Sequence, residues 1–138
     1  MILDFFSSPV GMAAILSFFV GSFGYVIARM WVQPLLRYRL LKSRVSALMD
    51  AVESVSAEDN EKAFPGKEIR KTAGRLADCY NDTLPQWYQL MLANRRESPD
   101  TAVADLMALA NVKDRQYASK RVSGVRAALR ITPKGKKA

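Results

Sequence analysis

Twenty consecutive residues, Pro9 to Ala28 (PVGMAAILSFFVGSFGYVIA), carry no charge. A helix of that length rises about 30 Å, the thickness of the hydrocarbon core of a bilayer. The run predicts one membrane crossing, with a span at about 9–28 inside an N-terminal anchor of residues 1–34. A cleavable secretory signal would need a basic leader, a shorter apolar stretch and a small-x-small cleavage site. This chain opens Met1-Ile2-Leu3-Asp4, and no such site follows. A buried core helix is the other competing reading, and a retained anchor is the one adopted here.

Charge sets the expected orientation. All 21 Lys and Arg residues lie at Arg29 or beyond, whereas one of the 13 acids, Asp4, precedes it. The net +8 thus divides into −1 before residue 29 and +9 after it. Arg29, Arg37, Arg39, Lys42 and Arg44 follow the apolar run with no acid before Asp50. Positive flanks stay on the cytoplasmic side. The expectation is therefore a single-pass protein of the plasma (bacterial inner) membrane, N-terminus outside and C-terminal domain cytoplasmic. Phe5 and Phe6 at one end, with Tyr25 and Trp31 at the other, sit where aromatic rings favour the headgroup level. Trp31, Arg37, Arg39, Lys42 and Arg44 are the expected membrane-interface residues.

Within the span, Ala14, Ser17, Gly21, Gly24 and Ala28 recur at intervals of three, four, three and four, which places them on one stripe of a helix. Lipid tails solvate large apolar side chains as well as another helix does. Association in a bilayer therefore depends on close packing, which small residues permit. The stripe is the candidate contact with another membrane protein or a second copy of the chain. Chance alignment of residues common in spans is the plainer alternative.

The helical period continues beyond the membrane through Trp31, Leu35 and Tyr38, then through Leu41, Val45, Leu48, Val52 and Val55 after a three-residue slip. Residues 35–58 read as a juxtamembrane amphipathic helix, with a kink expected at Pro34. Its basic residues could meet anionic headgroups or simply mark topology. Residues 59–66 read as an acidic connection closed by the Pro65-Gly66 turn, and 67–131 as a cytoplasmic helical domain. Within that domain a helix starts near Lys67, with Ile69, Ala73, Leu76 and Tyr80 on one face. A short helix from Pro85 to about Arg95 carries Trp87, Tyr88, Leu90, Met91 and Leu92, expected mainly in the core. Ser98-Pro99-Asp100 starts another, with Ser98 as side-chain cap and Val103, Leu106, Met107 and Ala110 inward. A last helix, from about Lys113 to Arg130, turns Ala118, Val122, Val125 and Leu129 inward. Residues 132–138 form a basic flexible tail.

Residues 113–138 hold nine basic residues against Asp114, an excess equal to that of the whole chain. Short helix, turn and basic helix in that order resemble a helix-turn-helix, which would bring Lys120, Arg121 and Arg126 to phosphates. The turn lacks the usual glycine, however, and the basic residues surround the polar face. Contact with anionic lipid or an acidic cytoplasmic protein through Lys120, Arg121, Arg126 and Arg130 is preferred over nucleic acid. A plain solvated face is the bland alternative.

Little in the sequence suggests catalysis. It contains no histidine and one cysteine, Cys79, so the common zinc, haem and iron–sulfur ligand sets and an internal disulfide are missing. Cys79 lies beside Asp78 and Asp82, acids expected to raise its pKa and blunt it as a nucleophile. No glycine-rich phosphate loop or nucleophile motif appears. The reading is an all-α, non-catalytic accessory, scaffold or adaptor subunit without cofactor, metal or small-molecule substrate. One transmembrane helix continues into a juxtamembrane helix, followed by a small cytoplasmic helical bundle. A membrane-tethered nucleic-acid binder and a small pore-forming effector are the alternatives.

Overall fold

The computed structural model describes residues 8–57, 64–112 and 115–132, all helical or connecting, with no strand among them. Asp4, Phe5 and Phe6, the connection at 58–63, Lys113, Asp114 and residues 133–138 lie outside the described residues. The chain divides into two compact units, Met1–Leu35 and Leu36–Ala138.

In the first unit, α1 spans Pro9–Ile27. Ser8 caps it: its Oγ accepts the Gly11 amide at 3.1 Å, and Pro9 occupies the first turn, where an absent N–H costs nothing. The helix is long and apolar enough to cross a membrane. Gly11 is buried and Ile15 half-buried; every other residue from Pro9 to Ile27 is exposed. A π-helical turn, Ala28–Val32, comes next, in which the Gln33 amide reaches back five residues to the Ala28 carbonyl. In regular α geometry the ring of Pro34 would strike the carbonyl four residues earlier. The wider π turn moves that carbonyl away, so the strain expected at Pro34 is absorbed just before it. Helical residues run without interruption from Pro9 to Val55.

The second unit holds α2 (Gln33–Ala57, from Leu36 onward), α3 (Gly66–Asp78), α4 (Gln86–Asn94), α5 (Pro99–Ala110) and α6 (Arg115–Ala128). Its core takes Tyr38, Val45, Met49 and Val52 from α2, Ile69 and Leu76 from α3, Leu92 from α4, Leu106 and Leu109 from α5, and Val122 and Val125 from α6, with Leu129 just beyond. All four inward residues expected of the last helix are buried.

Three expected faces shift. Met49 displaces Leu48, which is half-buried, because a helix of 3.6 residues per turn drifts off a strict three-four alternation. On α5 the buried line is Ala102, Leu106 and Leu109, while Val103, Met107 and Ala110 are half-buried. That helix packs against both α3 and α6, so its apolar arc is wide. On α4, Tyr88 and Leu92 enter the core, but Trp87 is 45% and Leu90 67% exposed. A helix of nine residues turns only one side inward, and Trp87 instead packs edge-on against Tyr88 at 5.6 Å.

The connections are fixed by specific bonds. A second π turn, Cys79–Thr83, again precedes a proline: the Leu84 amide donates to the Cys79 carbonyl at 2.9 Å, and Leu84 turns extended ahead of Pro85. Gln89 Nε2 donates to the Tyr80 and Leu84 carbonyls at 2.8 and 3.2 Å, groups that the helix end leaves open. Ser98 does not cap α5 with its side chain; its amide donates to the Ala128 carbonyl at 2.8 Å. α4 and α6 both close with an arginine in the left-handed region, Arg96 (φ 57°) and Arg130 (φ 50°), each followed by an amide reaching back five residues.

Candidate functional site

The small-residue stripe is fully available on α1. Ala14, Ser17, Gly21, Gly24 and Ala28 are exposed, and a Cβ placed on Gly21 or Gly24 would have nothing within 4 Å.

The expected interface residues separate. Trp31 is half-exposed, and Arg37, Arg39 and Arg44 are exposed. Lys42 turns into the fold, where its Nζ lies 2.9 Å from Glu97 Oε1. The Tyr38 hydroxyl donates to the other oxygen of Glu97 at 3.3 Å. Burial first, and then the Glu97 carboxylate, push the Tyr38 phenol well above its ordinary range.

The C-terminal quartet divides as well. Lys120 is exposed. Arg121 pairs with Asp105 at 2.8 Å, and Arg130 Nη1 donates to the Arg95 carbonyl at 2.9 Å, closing the end of α4. Arg126 departs from the outward role expected of it. It is 7% exposed, and its Nη2 reaches Asp50 Oδ1 and Glu53 Oε2, both at 2.8 Å. The acids it meets belong to α2, and the quartet does not form one basic face.

A different set of basic residues does converge. Arg37 and Arg44, two turns apart on α2, line a cleft of about 440 Å³ together with Arg75 of α3; Leu40, Leu41 and Cys79 supply apolar lining and Asp78 is its one acid. A second hollow of about 340 Å³ shares Arg44 and Arg75 and adds Lys71, Thr72 and Glu68. Among the described residues, the guanidinium groups of Arg37, Arg44 and Arg75 make no ion pair or hydrogen bond. Burial raises the Cys79 thiol pKa, and the nearby Arg37 charge pulls it partly back. The expected direction holds, but burial replaces the neighbouring acids as its cause. A buried, largely protonated thiol is a poor nucleophile.

Sequence reasoning reached Arg37 and Arg44 through their position after the span. It missed Lys71 and Arg75, although their four-residue spacing on an amphipathic helix was a usable signal. Among the described residues, no group of three or more His, Cys, Asp or Glu side chains could hold a metal ion. Compared with protein families, curated proteins and solved structures, the chain matches none.

Proposed function

We propose that this protein is a non-catalytic, single-pass accessory or adaptor subunit of a membrane complex, anchored through α1 with its helical body on the cytoplasmic side of a bacterial inner membrane. The observation that carries the reading is an apolar helix of membrane-spanning length with its small-residue stripe uncovered, on a chain whose remaining helices close a core of their own. The positive flank after residue 28 supports the orientation. Binding through the stripe, to a second copy or to another span, and presentation of the helical body to an acidic cytoplasmic partner constitute the mechanism. Lys120 is the residue of the quartet left to meet that partner. Internal pairing of Arg121 and Arg126 leaves fewer cations for phosphates, so nucleic-acid tethering is the weaker reading.

The test is Gly21→Leu with Gly24→Leu. A Cβ at either position has open space around it and leucine adds apolar surface, so the pair should leave membrane insertion intact and abolish detergent-stable co-purification of the neighbouring span. Unchanged assembly would reject the stripe. Recovery of the intact chain in the soluble fraction without detergent would reject the anchor.

A further inference from the structure

We propose that the cleft between α2 and α3 binds the phosphate headgroup of an anionic phospholipid, with Arg37, Arg44 and Arg75 as the contacting residues. The inference rests on the membrane-anchored reading and adds a specific ligand to it. Three arginines line one cleft together with a single acid, Asp78. Like charges gathered this way repel one another unless an anion joins them, and the planar fork of arginine matches the geometry of phosphate oxygens. The lining indicates which source of phosphate fits. Leu40, Leu41 and Cys79 give it an apolar part, and Leu40 is 57% exposed. A free phosphate ion gains nothing from that surface, whereas a lipid brings glycerol and upper acyl carbons to cover it.

Chain connectivity supplies the proximity. Arg37 follows Ala28, the last residue of the uncharged run, by nine residues. These residues are helical, and nine helical residues rise about 14 Å. If α1 spans the bilayer, Arg37 is therefore held close to the headgroup layer. Diffuse attraction of a basic flank to an anionic surface would need no cleft and would not involve Arg75, which lies far along the chain and on another helix. Arg75 therefore separates a built site from general electrostatics.

The full-length protein, delipidated in mild detergent, is titrated with phosphatidylglycerol or phosphatidylcholine in mixed micelles, and bound lipid is counted by native mass spectrometry. The expected result is one phosphatidylglycerol per chain, preferred over phosphatidylcholine. Arg44→Gln with Arg75→Gln should weaken that binding about tenfold or more, the factor expected when two surface charges are lost. Lys67→Gln removes an exposed charge outside the cleft and should leave the binding unchanged. Leu40→Glu adds a carboxylate to the cleft lining on an exposed position and should abolish the preference without altering helicity by circular dichroism.

Equal weakening by Lys67→Gln and the double variant would overturn the cleft in favour of diffuse attraction. Displacement of the lipid by equimolar glycerol 3-phosphate would overturn the lipid assignment, as would tighter competition by duplex DNA or an acidic peptide. Alkaline carbonate extraction of cell membranes scores the anchor separately. If the wild type is extracted, the anchor reading fails while the micelle titration still reports on the cleft.

Discussion

Arg126 allows the energetics of the fold to be tested by the direction of an effect. Its guanidinium is all but buried and makes two charge-assisted hydrogen bonds, to Asp50 and Glu53, while Nε and Nη1 have no partner among the described residues. Each charge-assisted bond contributes about 1.5–3 kcal/mol. Because the side chains of Asp50 and Glu53 are 37% and 52% exposed, water screens them and the two bonds together should give about 3 kcal/mol. Each buried N–H without a partner costs about 1–3 kcal/mol, which largely cancels that gain. Arg126→Met keeps most of the stem and removes both terms, so stability should change by no more than about 1 kcal/mol. Asp50→Ala with Glu53→Ala leaves the buried cation uncompensated and should cost about 3 kcal/mol. The assay is urea unfolding of the detergent-solubilised chain, with Trp31→Phe leaving Trp87 as the fluorescent reporter. With a urea slope of about 1–1.5 kcal/mol per molar, the double variant should lower the midpoint by about 2–3 M and the Met variant by less than about 1 M. A Met variant that falls as far as the double variant would refute the reasoning, because the ion pair itself would then be a large net source of stability.

Other positions give equally direct tests. The Tyr38 phenol has its pKa raised in the fold, so its contribution to stability is complete below the unfolded value of about pH 10 and is lost as pH rises beyond it, at about 1.4 kcal/mol per pH unit. Melting of the wild type against Tyr38→Phe from neutral to strongly alkaline pH should show the shallower decline in the variant; equal slopes would contradict the assignment. A Cβ on Gly124 would lie 2.7 Å from Asp105 Oδ2, the carboxylate held by Arg121. Gly124→Ala should therefore give no net gain in the wild type but stabilise an Asp105→Ala background by about 1 kcal/mol, the helix preference of alanine over glycine, and a denaturation cycle without that coupling would exclude the clash. Arg96 sits at φ 57°, and Arg96→Gly should raise the urea midpoint by the equivalent of about 0.5–1 kcal/mol, since glycine occupies that region without strain; a fall would show that the Arg96 side chain has a role of its own.

How far the fold could be read from the sequence depended on how local its causes were. The apolar run and the inward line Ala118, Val122, Val125 and Leu129 follow from composition and helical period, and both are observed. The turn of α5 onto Ala102, Leu106 and Leu109 depended on neighbours packed from elsewhere in the chain, which periodicity within one segment does not contain. The π turns lie between the two cases. Ala28–Val32 and Cys79–Thr83 each end two residues before a proline, Pro34 and Pro85, and steric conflict one turn upstream explains both. After the first, helix resumes at Gln33; after the second, Leu84 turns extended and Gln89 secures the open carbonyls. The same local conflict thus has two outcomes, and side chains beyond the proline accompany the choice.

Charge shows the same division more sharply. By count, the C-terminal segment holds the basic excess, yet Arg121, Arg126 and Arg130 are each engaged by the fold. The convergent positive charge arises from residues 37, 44 and 75, which no window along the chain brings together. A run of like charge in sequence says where cations are plentiful. It does not say which remain available once helices pack, because a partner close in space consumes a charge as readily as one nearby in sequence. Stability alone would favour an ion pair for each of Arg37, Arg44 and Arg75, as Asp105 gives Arg121 and Glu97 gives Lys42. Where a chain pairs its charges in several places and, among the described residues, leaves three cations around one cleft without an ion pair, that set is a better guide to an external ligand than the most basic stretch of sequence.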